Sequence, residues 1–216
     1  GAASLPSLHE PTMVPWPLPP PQQGEGNAAA LGSTVVIFDV ADAAISGALA
    51  PSLLPETRVV NVAPALTAAG WAEVAQEVAR KLESVPTGCD VVWACSCLDE
   101  LPADMLFELL VGMLGALQPA RCVFVSRQTL RVPGHATSAS PSVERIAAVV
   151  PLLGVLRTYG FEQGESAHLL HVDVDTVGDC ALLPRLLPDL SSPACPSVAI
   201  RCGRAFRRLF MPVVPR

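Results

Sequence analysis

Residues 35 to 50 read VVIFDVADAAISGALA, and this stretch decides the fold class. Its first four residues are apolar, and three of them are β-branched, which predicts a short buried strand. The alanine-rich residues that follow favour a helix. The turn between strand and helix, Asp39 to Asp42, reads D-V-A-D and contains no glycine. The stretch is therefore a strand–helix unit with an unusual first turn.

The same alternation of strand and helix continues along the chain. Strands are predicted at Thr34–Phe38, Arg58–Val62, Asp90–Ala94, Arg121–Val125 and His168–Val174. Helices are predicted at Ala41–Ala50, Trp71–Ser84, Ala103–Leu117, Ser142–Gly160 and Cys180–Leu187. Strands that are apolar on both sides and alternate with helices predict an α/β fold, with a mostly parallel sheet and helices on both faces.

Two further features of the pattern concern the ends of elements. Two strand-like runs flank Cys202 and Gly203 and predict a β-hairpin that closes the domain. Ser140 and Pro141 suit the cap and first position of the fourth helix, and Pro151 is expected to kink or break that helix.

Residues 1–33 are predicted to be a Pro-rich N-terminal arm, and residues 34–216 the folded domain. The prolines of the arm support neither a helix nor a central strand. Its one apolar patch contains Met13, Val14 and Trp16. We expect this patch to lie in extended form against a folded body, either this domain or a neighbour.

Composition excludes some classes of function and favours others. The 216 residues carry a net charge of −6 and a single lysine, Lys81, which argues against nucleic-acid binding. The arginines Arg204, Arg207 and Arg208 are interpreted as ordinary strand-end charges. Half of the residues are hydrophobic and only 16% are charged, so the surface is expected to be partly covered by a neighbour in a larger assembly.

The predicted location is the cytoplasm. No apolar run reaches the roughly 20 residues of a membrane span, and the start of the chain has prolines where a signal peptide would be apolar. Seven cysteines, an odd number in a chain long enough to form a core, fit a reducing compartment better than a disulfide framework.

The first turn is unsuited to a nucleotide. A diphosphate needs glycines there so that the backbone can approach it, whereas Asp39 and Asp42 would repel it. The same gap argues against an S-adenosylmethionine enzyme. Short-chain reductases also need a tyrosine with a lysine four residues later. The only tyrosine is Tyr159, followed by Gln163 at that spacing, and Lys81 lies on another predicted helix.

Other candidate sites have a structural interpretation. The cysteines Cys89, Cys95, Cys97 and Cys122 lack zinc-knuckle spacing and are predicted to be small buried thiols. His168 and His171 lie at odd spacing in one strand, so they cannot share a metal there. Asp99 and Glu100 follow a strand but lack a partnered base, and we interpret them as helix-capping acids. No G-x-S-x-G motif is present.

Four segments, in order, resemble the ketoreductase region of type I polyketide synthases, which are fatty-acid-synthase-like multienzymes. The arm segment LHEPTMVPWPLPP, residues 8–20, is similar to the entry segment of that region. RCVFVSRQTLRV, residues 121–132, resembles a strand that ends in a Ser-Arg pair. VVPLLGVLRTYGFEQGESAHLLHVDVDT, residues 149–176, resembles a helix with an R-T motif, a Glu-containing corner and a strand ending in V-D-x-D. PSVAIRCGRAFRRLFMPV, residues 196–213, is similar to the closing segment.

The resemblance is to the structural, non-catalytic subdomain of that region. It implies a truncated Rossmann-like sheet with a C-terminal hairpin, and no catalytic, cofactor-binding or metal-binding residues in this chain. It implies that NADPH is bound by the catalytic half, which reduces β-ketoacyl intermediates on an acyl carrier protein. The expected partners are that catalytic subdomain and neighbouring synthase domains, without nucleic acid, membrane or metal.

Two alternatives stay open at this point. Residues 90 to 125 have a methyltransferase-like pattern, so an active or inactive methyltransferase-like domain of a similar multienzyme is the second hypothesis. A free-standing interaction module is the third.

Overall fold

The computed structural model describes residues 9–17, 33–38, 44–49, 53, 55–62, 71–93, 103–134, 143–164, 167–186 and 197–212. Its strands are β1 (His9–Trp16), β2 (Thr34–Phe38), β3 (Arg58–Val62), β4 (Asp90–Trp93), β5 (Arg121–Arg127), β6 (His168–Val174), β7 (Ser197–Arg201) and β8 (Arg204–Pro212). Its helices are α1 (Ala44–Leu49), α2 (Trp71–Leu82), α3 (Ala103–Leu117), α4 (Val143–Gln163) and α5 (Leu183–Leu186), and a 3₁₀ helix (Val177–Leu182) precedes α5.

The eight strands form one sheet in the order β1-β8-β7-β6-β5-β4-β2-β3. All neighbours from β3 to β7 are parallel, and β8 is antiparallel to both β7 and β1. The order reverses where β2 lies between β3 and β4, as in doubly wound sheets. The chain therefore has the predicted Rossmann-like α/β fold with a C-terminal hairpin.

Each central strand is buried on both faces because helices cover both sides of the sheet. Val36 and Phe38 pack on one side, with the buried faces of α2, α3 and α4. Val35 and Ile37 pack on the other side, with α1, the 3₁₀ helix and α5. Phe38 also stacks on Trp93 of β4, with ring centroids 4.8 Å apart. This alternation confirms the prediction of strands buried on both faces.

Most predicted elements occur with the predicted bounds or within a few residues of them. The strands β2, β3 and β6 and the helix α3 have the bounds predicted. β5 continues to Arg127, two residues beyond its predicted end, and α2 ends at Leu82 rather than Ser84. The predicted last helix is instead a 3₁₀ helix from Val177 to Leu182 followed by one turn of α-helix. The 3₁₀ helix begins with a capping box in which Asp179 accepts from the backbone and hydroxyl of Thr176.

The hairpin between β7 and β8 turns at Cys202 and Gly203, as predicted. Both residues have positive φ, 50° and 70°. A two-residue hairpin loop with positive φ at both positions matches the right-handed twist of its strands.

Pro151 does not break α4, which continues from Val143 to Gln163, so of the expected kink or break the break does not occur. Pro151 lies on the exposed side of the helix, and α4 buries Val149, Leu152 and Leu156 against the sheet. This packing holds the helix together across the missing N–H donor. The predicted cap at Ser140 and Pro141 lies outside the described residues. Within the described segments, no helix combines the length and apolarity needed to cross a bilayer.

Part of the predicted arm belongs to the sheet. Residues 9–16 form β1, which pairs antiparallel with β8 from His9 opposite Pro212 to Trp16 opposite Ala205. Trp16 packs on the α1 side of the sheet and Met13 on the opposite side. Arg207 lies over the Trp16 ring, 5.4 Å from its centroid. The apolar patch of the arm is thus extended, as expected, and lies on this domain.

Candidate functional site

Several predicted site residues lie outside the described part of the chain. These are the first turn from Asp39 to Asp42, the cysteines Cys95 and Cys97, and the acidic pair Asp99 and Glu100. Their interpretations therefore stay predictions.

Tyr159 and Lys81 each have another partner. The Tyr159 hydroxyl on α4 donates to the carbonyl oxygen of Pro119, at 3.4 Å. Burial raises the pKa of Tyr159, and the Cys122 and Cys89 thiols add to the rise, whereas a catalytic proton donor needs a lowered pKa. Lys81 pairs with Glu77 on its own helix, at 3.0 Å. The reductase pair is not assembled from these two residues.

The described cysteines and histidines do not form a metal site. Cys89 and Cys122 are buried and are not in a disulfide, and burial together with Asp90 raises the pKa of Cys89 to about 11. At that pKa the sulfur is protonated at pH 7. Nowhere in the described segments do three His, Cys, Asp or Glu side chains gather as a metal would need. His168 and His171 are separated by an odd spacing in β6, as predicted.

A cluster of buried polar side chains lies where β5, β6 and β7 run side by side. Strand register places Ser126 opposite Asp173, and His171 opposite Ser197. Alternation along the strands puts these residues and Arg201 on the same face of the sheet as α2, α3 and α4. Each of the five is at most 5% exposed. We call these five residues, together with Thr129 from the segment after β5, the polar cluster.

Asp173 is the centre of the polar cluster. Its Oδ1 accepts from the Ser126 hydroxyl at 2.7 Å and from the backbone N–H and the hydroxyl of Thr129, at 2.8 and 2.6 Å. Its Oδ2 accepts from the backbone N–H of Leu130 at 3.1 Å and from the Arg201 guanidinium. Burial by itself would raise the pKa of Asp173, but Arg201 and the hydroxyl donors hold it below its usual range. Asp173 is therefore a buried carboxylate whose charge is compensated.

Arg201 joins β7 to the segment after β5. Its Nη1 donates to the carbonyl oxygens of Asp173 and Ile200, at 2.9 and 2.8 Å, and its Nη2 donates to Leu130 O at 2.7 Å and to the Asp173 carboxylate. The guanidinium is 1% exposed. Because the pair is buried, removing either charge would leave the other uncompensated.

His171 is held between two serines. Its Nε2 lies 2.8 Å from the Ser126 hydroxyl and its Nδ1 lies 3.0 Å from the Ser197 hydroxyl. Burial lowers the pKa of His171 to about 4, against a partial opposing effect of Asp173. The imidazole is therefore neutral at pH 7, and both of its nitrogens have a partner.

The polar cluster contains serine, histidine and aspartate but lacks the order of a hydrolase triad. In a triad the histidine lies between the serine and the carboxylate. Here Asp173 accepts from Ser126 itself, and the second nitrogen of His171 faces Ser197. Ser126 is completely buried, so a substrate cannot reach its hydroxyl. The arrangement fixes the segment after β5 onto the sheet.

The polar cluster was not predicted from the sequence. The signal that could have found it is the presence of polar residues in otherwise apolar strands. His171 and Asp173 are two residues apart in LLHVDV and so share one face of β6. The partners of these residues come from other strands and depend on register, which the sequence alone does not provide.

A groove of about 500 Å³ lies beside the polar cluster, on the same side of the sheet. It is lined by Met13 of β1, the segment Thr129–Arg131 with Pro133, the α4 residues Ile146, Val149, Val150 and Leu153, His171 and Arg208. It opens near the carboxyl end of β5, and open α/β sheets bind ligands at the carboxyl ends of their strands.

The outer surface of α3 and α4 carries exposed apolar side chains. Phe107 and Val111 on α3 are 43% and 46% exposed, and Phe161 on α4 is 88% exposed. The two helices pack against each other. Between them lies a groove whose lining includes Val111, Gly115 and Val155. We call Phe107, Val111, Gly115 and Phe161 the α3–α4 face, and an apolar surface of this kind is typical of a protein interface.

Comparison with known proteins finds a solved structure with a similar fold. No family model matches the sequence, and no curated protein is significantly similar to it. Among solved structures, the chain is similar to an A-type ketoreductase from a modular polyketide synthase, with a TM-score of 0.59 and 18% sequence identity. The similarity covers 96% of this chain and 42% of the ketoreductase chain. The Rossmann-like fold of this chain is thus one that also occurs within a polyketide synthase ketoreductase.

Proposed function

We propose that this chain is the non-catalytic structural subdomain of a polyketide synthase ketoreductase. It packs against the catalytic half of the enzyme, which binds NADPH and reduces β-ketoacyl intermediates carried on an acyl carrier protein. In this proposal the chain supplies stability and position to that half and takes no part in the chemical step.

The observation that carries the proposal is the α3–α4 face in a chain that corresponds to 42% of a ketoreductase chain. The remainder of that ketoreductase has no counterpart among these 216 residues. A monomer that exposes Phe107, Val111 and Phe161 leaves apolar area in contact with water, which costs free energy that a partner would recover. The catalytic half is the partner of suitable size that the ketoreductase contains.

The interior also supports a structural function. The Ser126, His171 and Asp173 side chains hydrogen-bond within one cluster inside the sheet, and each of them is completely buried. Tyr159 has a raised pKa and Lys81 pairs with Glu77. The polar side chains of these described residues thus contribute to stability.

The test is reconstitution with the catalytic half of the cognate ketoreductase. We expect the two chains to form a complex that elutes together in size-exclusion chromatography and reduces a β-ketoacyl thioester with NADPH. The catalytic half alone should unfold at a lower temperature and lose activity faster than the complex.

A matched pair of variants links the test to the α3–α4 face. A chain with Val111→Asp and Phe161→Asp should fold but fail to bind, because two carboxylates would have to be buried in the interface. A chain with Glu77→Gln, on the exposed side of α2, should bind like the parent. A catalytic half that is equally stable and active without this chain would contradict the proposal, as would saturable binding of S-adenosylmethionine by this chain.

A further inference from the structure

The groove beside the polar cluster has the size and position of a small-molecule site. Its volume of about 500 Å³ lies within the range of roughly 300 to 1,000 Å³ that is typical of ligand pockets. Its lining comes from β1, β6, β8, α4 and the segment after β5, so five separate parts of the fold contribute to it. Nothing in the proposed function uses this groove.

The lining combines apolar walls with positive charge. Met13, Leu130, Ile146, Val149 and Leu153 supply an apolar surface, and no aspartate or glutamate is among the lining residues that the structure describes. Arg131 and Arg208 are the charged groups of the lining. Such a groove favours a ligand with an apolar body and an anionic end.

We propose that this groove binds a small amphipathic carboxylate. The alkyl or aryl body packs against Ile146, Leu153 and Met13, and the carboxylate pairs with Arg208 and Arg131. This site is separate from the α3–α4 face and does not depend on the proposed function.

The polar cluster makes the floor of the groove rigid. His171 lines the groove and hydrogen-bonds to a serine through each ring nitrogen, and Thr129 is tied to Asp173 through both its N–H and its hydroxyl. A wall that is already ordered loses little conformational freedom when a ligand binds. Because burial lowers the pKa of His171, the positive charge comes from the two arginines.

Isothermal titration of the 216-residue chain with octanoate tests the proposal. Octyltrimethylammonium, with the same alkyl chain and a positive end, is the control ligand. We expect saturable binding of octanoate and much weaker binding of the cation. Equal binding of both ligands, or no saturable binding of octanoate, would overturn the proposal.

Variants locate the binding in the groove. Arg208→Met and Arg131→Met should each weaken octanoate binding about tenfold, because each removes a charge-assisted hydrogen bond. Ile146→Trp should abolish binding by filling the groove, whereas Ala147→Trp, at the next and exposed position of α4, should leave it unchanged. Circular dichroism checks that each variant is folded. Arg131 is exposed, so its variant remains a valid test if Arg208→Met does not fold. Octanoate affinity that is the same in Arg131→Met and Ile146→Trp as in the parent would contradict the assignment.

Discussion

The polar cluster and the α3–α4 face depart from the usual distribution of side chains in opposite ways. The polar cluster places an aspartate, an arginine and a histidine where the solvent does not reach, and each carboxylate oxygen has a donor. On the α3–α4 face, phenylalanine and valine side chains are exposed to water, and no described residue covers them. Among the described residues, the first arrangement supplies partners for its buried polar atoms except Arg201 Nε, whereas the second leaves its apolar side chains uncovered. Changes in the polar cluster should therefore lower the stability of the chain itself, and changes in the α3–α4 face should lower its affinity for a partner.

The largest effect is expected for Asp173→Asn. The substitution keeps the shape of the side chain but leaves the Arg201 guanidinium buried without a counter-charge, which should lower the free energy of unfolding by about 3 to 5 kcal/mol. Urea denaturation measures the loss. Glu77→Gln breaks an ion pair with Lys81 in which both side chains are partly exposed, and it should change stability by no more than about 1 kcal/mol. Similar losses for the two variants would show that burial does not govern these pairs.

Acidification should unfold the chain through His171. Its pKa is about 4 in the folded chain, below the ordinary 6.5, so the unfolded chain binds more protons between these values. Stability should therefore be full above about pH 6.5 and fall by a few kcal/mol as the pH approaches 4. His171→Gln should remove the slope between pH 6.5 and 5 in urea titrations. The slope due to Asp173, whose pKa is lowered, begins at lower pH because it follows protonation of the unfolded carboxyl. An unchanged slope in His171→Gln would refute this origin.

Ser126→Ala should have an intermediate effect. It removes the hydroxyl that lies within hydrogen-bond distance of His171 and Thr129 and donates to Asp173, so buried polar groups lose a partner. The expected loss is about 1 to 3 kcal/mol in the free energy of unfolding. Ser84→Ala, which removes an exposed partner of Arg58, should cost no more than about 0.5 kcal/mol. Equal losses at the two serines would contradict the importance of the buried hydroxyl.

Phe161→Ser should have the smallest effect on the chain alone. Phe161 is 88% exposed, so its loss should change the free energy of unfolding by no more than about 0.5 kcal/mol. The same substitution should weaken binding to the catalytic half about tenfold or more, because aromatic side chains dominate interface energies. Urea denaturation and a binding titration on the same preparation measure both effects. A large loss of stability without a loss of binding would contradict the assignment of Phe161 to the interface.

Sequence reasoning predicted the local elements of this fold far better than the contacts between them. The run TVVIF and the helix from Ala103 to Leu117 have strong local patterns, and both occur with the predicted bounds. Helix α4 differs from the prediction because it continues through Pro151. The burial of Leu152 and Leu156 outweighs the local preference of proline for ending a helix. Tertiary packing of this kind has no local signal.

The polar cluster was missed for a related reason. The hydrogen bonds that join Ser126 and Thr129 to β6 connect residues that are 44 to 47 positions apart. Only the parallel register of the two strands brings them together. The strand β1 depends in the same way on β8, nearly 200 residues later. Its two prolines led to its assignment to the N-terminal arm and not to the sheet.

Those prolines also determine how the sheet ends. Pro11 and Pro15 are four residues apart in β1, so their missing N–H groups fall on the same edge of the strand. This is the outer edge, because the hairpin register directs the N–H groups of their partners Phe210 and Phe206 to β7 and not to β1. An edge without these donors is a poor template for another strand, and it protects against edge-to-edge association. On this side the sheet cannot readily be extended by a neighbour's strand. A partner on this flank would have to bind through side chains, without sharing a ladder of backbone hydrogen bonds.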